Sequence, residues 1–548
     1  NHRKTQLFNS LVKIDESVLD AFEKNLEEQN FTVAEEYLNR IEIGDSSLID
    51  ELRNESVTDV ESEYHERFVK NYDFFFKLCR KNVQENVIAK WGEKGINSQI
   101  RNFSQGQRTN TRQLLESWPK GRESKTLIMD VKKLLDKFGF KVNDIKADSS
   151  YKKCELFNAD VAPKSKNLED YSHPIARFGT QISEPTSVLC LFGRTYSSPN
   201  SLKEIFIDET LKLSYCTFVL VDAAFSLNER RQIAKLLKAD IQSMNSFIII
   251  DRVLMLYLAT LDSSKWLSSL LKCTLPYTYC QPYVQRAGVV ADEMFFGRKA
   301  ELHNIRGYNG ACLVYGGRQL GKTALLKRAC TLMHNPELKK HAFYIDIKSC
   351  KSKQAFSEIY NLLKENNIVK EPCSGFEVLC SLISNKLSSN EISELQIYID
   401  EADDFLGDIS SDDYEGLRPF KKLRDKFPNR FKIVFAGLHR VTHTKNNSVI
   451  IHLGTPLCIK PFSTSDAKNL IERPLSYLGF RFEGDEGKKQ LSLIMANTNY
   501  YPGLLHLFCY KLVESTSENY KAYYSATKQN PPYVISEEHL KKLFLIQD

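Results

Sequence analysis

One lysine, one threonine and two adjacent acidic residues carry most of the chemistry legible in this chain. In LVYGGRQLGKTALL (Leu313–Leu326), two apolar residues run into a glycine pair, and Gly321-Lys322-Thr323 then opens an apolar helical pattern. Gly316, Gly317, Arg318, Gln319, Leu320, Gly321, Lys322 and Thr323 match the spacing G-x-x-x-x-G-K-[S/T]. Glycines at these positions let the backbone wrap a phosphate with its N–H groups pointing inward, and the helix that follows adds the positive end of its dipole. Lys322 would neutralise β/γ-phosphate oxygens, the Thr323 hydroxyl would ligate Mg²⁺, and Ala324 is the next residue of the cradle.

Such a loop needs acids opposite it. LQIYIDEADDFL places Asp400 at the end of an apolar strand, suited to hold the metal's water shell. Glu401 follows, suited to polarise an attacking water as general base. Read blandly, the stretch is an acidic helix cap; the phosphate loop upstream argues for a catalytic pair. Asp400-Glu401-Ala402-Asp403 also spells a helicase box, which is discounted because no second motor domain is expected within residues 404–548.

The elements that must position these residues are predicted as strands at ACLVYG, HAFYIDI, LQIYID and RFKIVFAG, separated by helical patterns. The expected fold class is multidomain α/β. A P-loop ATPase core of parallel-sheet type spans 286–455, a helical lid 456–530, and a winged helix opens at 531–548. A small parallel α/β domain without a phosphate loop is expected over 181–285, from TSVLCLF, CTFVLVDA and SFIIID. Its Asp222 and Asn228–Lys235 lie where ligands favour carboxyl ends of parallel strands, although a structural role is the plainer reading. CTLPYTYCQPYVQRAG marks the boundary between the two blocks.

Three flanking motifs carry a resemblance. They are MFFGRKAEL (Met294–Leu302), FKIVFAGLHRV, and NTNYYPGLLHLFCYKL in the lid. With them, residues 289–548 resemble the STAND/AAA+ P-loop ATPases of bacterial and phage conflict loci. The resemblance implies that Phe296, Gly297 and Arg298 border an adenine. His439 or Arg440 would stand at the γ-phosphate sensor position, although neither is the usual Asn or Thr. Pro502 would contact nucleotide from the lid, although Tyr501-Pro502-Gly503 departs from the family's Gly-x-Pro. ATP and Mg²⁺ are the implied cofactors, and a homo-oligomer or a partner effector protein the implied assembly. Arg418, Arg424 and Arg430 are candidates for an arginine offered to a neighbouring subunit, or else surface charges. The implied function is an ATP-hydrolysing, signal-transducing switch of antiviral defence. A DNA-engaging AAA+ ATPase and a nucleotide-gated scaffold with negligible turnover are the alternatives.

Charge is unevenly spread along the 548 residues. Residues 1–64 carry 16 acidic and 6 basic side chains, residues 65–153 carry 10 and 20. Segment 1–64 is expected to be an acidic helical segment and 65–180 a basic helical region. Arg101, Arg108, Arg112, Lys120, Arg122 and Lys125 then form a solvated helical face or a nucleic-acid contact. The 13 cysteines form no Cys-x-x-Cys pair, which fits reduced thiols in a cytoplasmic protein. No apolar run is long enough to predict a membrane span. A start at Asn-His-Arg-Lys and an end inside a helical pattern suggest a piece of a longer polypeptide. No metal-ligand spacing among the histidines, catalytic triad, or protease or glycosidase signature is evident.

Overall fold

Short runs of β-branched and apolar residues become the strands of two separate sheets. In the computed structural model the described residues are 22, 63–81, 93–121, 126–151, 153–164, 185–192, 196–208, 210–239, 246–285, 288, 290–410, 414–438, 449–517 and 531–544. Nearly all of the acidic segment 1–64 lies outside them, as do Arg122, Lys125, His439 and Arg440. The chain divides into two compact units, one of residues 1–283, 468–497 and 508–548, the other of residues 284–467 and 498–507. Their boundary at Tyr283 falls within the Pro- and Tyr-rich stretch.

The first unit holds a five-stranded mixed sheet in the order β1-β2-β3-β4-β5. Its strands are β1 (Phe140–Asp148), β2 (Glu155–Pro163), β3 (Thr186–Leu191), β4 (Cys216–Val221) and β5 (Ser246–Ile250). The last three run parallel, each buried throughout, because helices cover both faces of such strands. β1 and β2 add antiparallel to that edge. The region 65–180 is therefore not wholly helical, and the sheet of the expected 181–285 domain is mixed and begins upstream of it. β1 is hard to read as a strand because only Phe140 is fully buried, and a bulge between Val142 and Asp144 breaks its alternation.

Helix Arg252–Ala259 is buried on every side. Tyr257 on it meets Phe68 and Phe75 at ring-centroid distances of 5.0 and 5.9 Å. At the carboxyl ends of the parallel strands both acids are taken by arginines. Asp222 accepts from Arg252 Nε and Nη2 at 2.7 and 2.9 Å and from Trp118 Nε1 at 3.1 Å. Asp251 accepts from Arg230 Nη2 at 2.6 Å while capping the buried helix through Leu254 N. These contacts are those of a structural clamp.

The second unit holds β6 (Leu313–Tyr315), β7 (Lys340–Asp346), β8 (Glu394–Asp400), β9 (Phe431–Gly437) and β10 (Pro456–Cys458). All are parallel, in the order β10-β6-β9-β8-β7. After β6 the chain crosses to the far edge, returns through β8 and β9, and closes with β10 on the near side. One face packs Leu325, Leu326 and Ala329 of helix Lys322–Met333 against Tyr398 and Val434. The other buries Ile359, Leu379, Phe405 and Phe420 from four helices. The four strands expected from sequence are all present; β10 is an addition, three residues too short to show a period. In the first unit, β11 (Phe480–Arg481) and β12 (Tyr533–Val534) form a parallel pair, so the segment opening at 531 pairs back to the chain near 480. Among the described residues no helix is long and apolar enough to cross a membrane.

Candidate functional site

The phosphate-type loop leaves the carboxyl end of β6 in a conformation that its glycines permit. Gly316 has φ 154°, and a Cβ there would stand 2.6 Å from the Ile459 carbonyl oxygen. Gln319 at φ 61° and Gly321 at φ 88° complete the turn into helix Lys322–Met333. Lys322 Nζ donates to the carbonyls of Gly316 and Gly317 at 2.8 and 2.9 Å, folding its ammonium back over the loop. Burial holds the Lys322 pKa below the ordinary lysine range, against the opposing pull of Asp400, Glu401 and Asp403.

β8 carries the acids to this loop from 77 positions away. Thr323 Oγ1 donates to Asp400 Oδ2 at 2.6 Å. Asp400, 1% exposed, also accepts from Tyr344 Oη at 3.0 Å, and its Oδ1 accepts from the Glu401 N–H at 3.0 Å. Glu401 sits at φ 50°, a left-handed conformation uncommon for a residue with a side chain. Its pKa is raised, first by burial and then by the charge of Asp400. Asp403 turns the other way: both its oxygens accept from Leu438 N, at 2.7 and 2.9 Å, tying the acidic turn to the tip of β9.

A hydroxyl and a carboxylate in contact, beside a lysine, form the hard-oxygen donor set that Mg²⁺ prefers. Thr323 and Asp400 fit that ion on the chemistry of their donors.

Residues 500–503 lie against the loop. Gly503 N donates to the Gln319 carbonyl at 3.1 Å, and Pro502 is buried, with Cγ 3.8 Å from where a Cβ on Gly321 would stand. Phe462 N in turn donates to the Tyr500 carbonyl at 2.9 Å. Arg298 is 8% exposed. It donates to Glu301, to the Leu320 carbonyl at 3.2 Å and to the Lys460 carbonyl, with its guanidinium 4.9 Å from the Phe462 ring centre. Its contacts are thus to the back of the loop. Gly297, at φ 63°, packs against Asp466, where a Cβ would meet Cγ at 2.7 Å, and Phe296 is half-buried.

Of the three candidate arginines, Arg424 donates to the Leu453 carbonyl and Arg430 to the carbonyls of Ser393 and Ile392. Arg418 keeps a side chain 55% exposed and pairs with Glu415. Tyr344 carries no signal in the sequence and depends on strand register. Asp403 belongs to the acidic run and Gly503 to the lid motif, but their contacts with Leu438 N and the Gln319 carbonyl arise from packing between distant segments.

No protein-family model matches the sequence, and no curated protein matches it. Among solved structures, a Walker-type ATPase of Pyrococcus abyssi is similar at 15% identity and TM-score 0.32, over 40% of this chain and 68% of that one. The ORC2 protein of Aeropyrum pernix, solved in ADPNP–ADP complexes, is similar at 15% identity and TM-score 0.33, over 46% and 68%. The ORC1 protein of the same organism, solved in complex with DNA, gives 14% identity and TM-score 0.30, over 46% and 65%. At such distances these likenesses carry nothing about activity or partners. The fold class, multidomain α/β with a parallel-sheet core behind a phosphate-type loop, stands on the strand order and the loop geometry of this chain.

Proposed function

We propose that the second unit binds and hydrolyses ATP with Mg²⁺. The observation that carries the reading is the 2.6 Å contact of Thr323 Oγ1 with Asp400 Oδ2. It joins a Gly-Lys-Thr loop and an acidic strand end that only a metal–triphosphate site needs together. In this reading the loop amides from Gly317 to Ala324 hold the β-phosphate and Lys322 turns from its loop carbonyls to the β/γ oxygens. Thr323 and Asp400 hold the metal, which when bound supplies charge neutralisation across the transferred phosphoryl group. Glu401 accepts a proton from the attacking water. Phe296 and Gly297 are proposed to flank the base, with Arg298 buttressing the loop from behind.

Release of the γ-phosphate would then be felt at Gly503 and Pro502 beside Gln319 and Gly321, which supports a switch over a simple store of nucleotide. The finer reading, a STAND-type signal transducer of antiviral defence assembling with copies of itself or with an effector, rests on the sequence motifs of residues 289–548. Titration with a fluorescent ATP analogue and a phosphate-release assay test the core proposal. Lys322→Ala should abolish binding, and Glu401→Gln should bind yet turn over poorly. Tight binding by Lys322→Ala would overturn it.

A second reading, engagement of DNA, is favoured by the exposure of Arg101, Arg108, Arg112, Lys120 and Lys133 in the first unit. Arg112 pairs with Glu93, and Arg108 donates to the carbonyls of Arg101 and Phe103, so part of this charge is already engaged. Affinity for duplex DNA falling steeply with salt would support this reading, and salt-insensitive or absent binding would end it.

A further inference from the structure

Tyr344 lies on β7 in register with Tyr398 on β8, and Asp346 in register with Asp400. Side chains two apart share a face, so Tyr344, Tyr398 and Asp400 point to the same side of the sheet. The two tyrosines have different fates. Tyr398 is fully buried and donates to Gln396 on its own strand. Tyr344 reaches diagonally forward, and its hydroxyl donates to Asp400 Oδ2, the oxygen that also accepts the Thr323 hydroxyl. The phenol is itself held: Lys327, on the helix after the loop, places its ammonium 4.8 Å from the ring centre.

A carboxylate with one donor per oxygen can still rotate about its last bond at modest cost. Thr323 and the Glu401 amide alone would give one donor per oxygen; Tyr344 adds a second to Oδ2, so rotation breaks three charge-assisted bonds instead of two. We propose that Tyr344 is a positioning residue, whose hydroxyl fixes the Asp400 carboxylate in the orientation that Thr323 and Mg²⁺ require. This rests on the reading of the site as a metal–triphosphate pocket. Residues that orient metal-facing acids are worth about 10–100-fold in metal affinity or activity.

The test is the affinity of a fluorescent ATP analogue, measured in EDTA and across a Mg²⁺ titration. It compares wild type, Tyr344→Phe, Asp400→Asn and the double variant. Tyr344→Phe should match wild type in EDTA, while its Mg²⁺-dependent tightening falls about tenfold and needs more Mg²⁺. On the Asp400→Asn background the same substitution should change nothing further, since its route to the metal is already cut. An unchanged Mg²⁺ response in Tyr344→Phe overturns the proposal, as does equal weakening with and without Mg²⁺. If thermal unfolding shows Tyr344→Phe to be misfolded, Lys327→Met takes its place. A reduced Mg²⁺ response there supports the proposal, and an unchanged one counts against it. If wild type binds no nucleotide, the pocket reading fails instead.

Discussion

The backbone N–H of Gly503 donates to the carbonyl of Gln319, 3.1 Å away, so a residue at the start of one helix holds the middle of the phosphate-type loop. Gln319 is itself in the left-handed region at φ 61°. A Cβ on Gly503 would stand 2.9 Å from the Gln319 Cβ and 3.2 Å from its carbonyl oxygen. Gly503→Ala must therefore displace loop backbone. Nucleotide affinity should fall several-fold to about tenfold, the range of one lost or strained hydrogen bond. Calorimetric titration of wild type and variant checks this, and unchanged affinity would show the contact to be incidental.

Glu401 is proposed to act as the base, and its raised pKa has a defined consequence. The group must be ionised to accept a proton, so turnover should fail on acidification at a higher pH than an ordinary glutamate would dictate. Glu401→Gln should lower turnover by about 10²–10⁴-fold with nucleotide affinity nearly intact, and should remove that acid limb. A pH profile of phosphate release for both proteins separates this role from a structural one.

Arg298 ties together the Leu320 and Lys460 carbonyls and the Phe462 ring. Arg298→Ala leaves the buried Leu320 acceptor and the part-buried Lys460 acceptor unmatched, at about 1–3 kcal/mol for a buried one and less for the other. Chemical denaturation should show a loss of roughly 2–4 kcal/mol by the same reckoning. Arg298→Lys should restore little, because one ammonium cannot span both carbonyls and the ring face.

Lys432 is buried inside β9 and donates to the Gly307 carbonyl, with its pKa lowered to about 8 by burial. Between that value and the pKa of an unfolded lysine, the unfolded chain binds the extra proton, so the Lys432 contribution to stability rises with pH. Relative to Lys432→Met, wild type should gain of order 2–3 kcal/mol between about pH 7 and 10. Paired denaturant titrations at the two pH values read this difference directly, and a flat difference would mean the charge is better solvated than its surroundings indicate.

What the sequence determined by itself was local chemistry. The Gly-Lys-Thr loop, Asp400 and Glu401 at a strand end, and the four strands of the second sheet are legible because each depends on neighbours within a dozen residues. The strand order that brings Thr323 to Asp400 was expected from the motif pair, but the distance itself came from folding. Tyr344 at the site was decided by the register of β7 on β8, and Gly503 at the loop by packing between segments far apart in the chain. The joining of β1 and β2 to the edge of β3, and of β10 to β6, were decided in the same way. Register and strand order arise from the joint packing of both sheet faces over long separations. That packing leaves no period in any single stretch, and a three-residue strand or an exposed hairpin leaves scarcely a pattern at all.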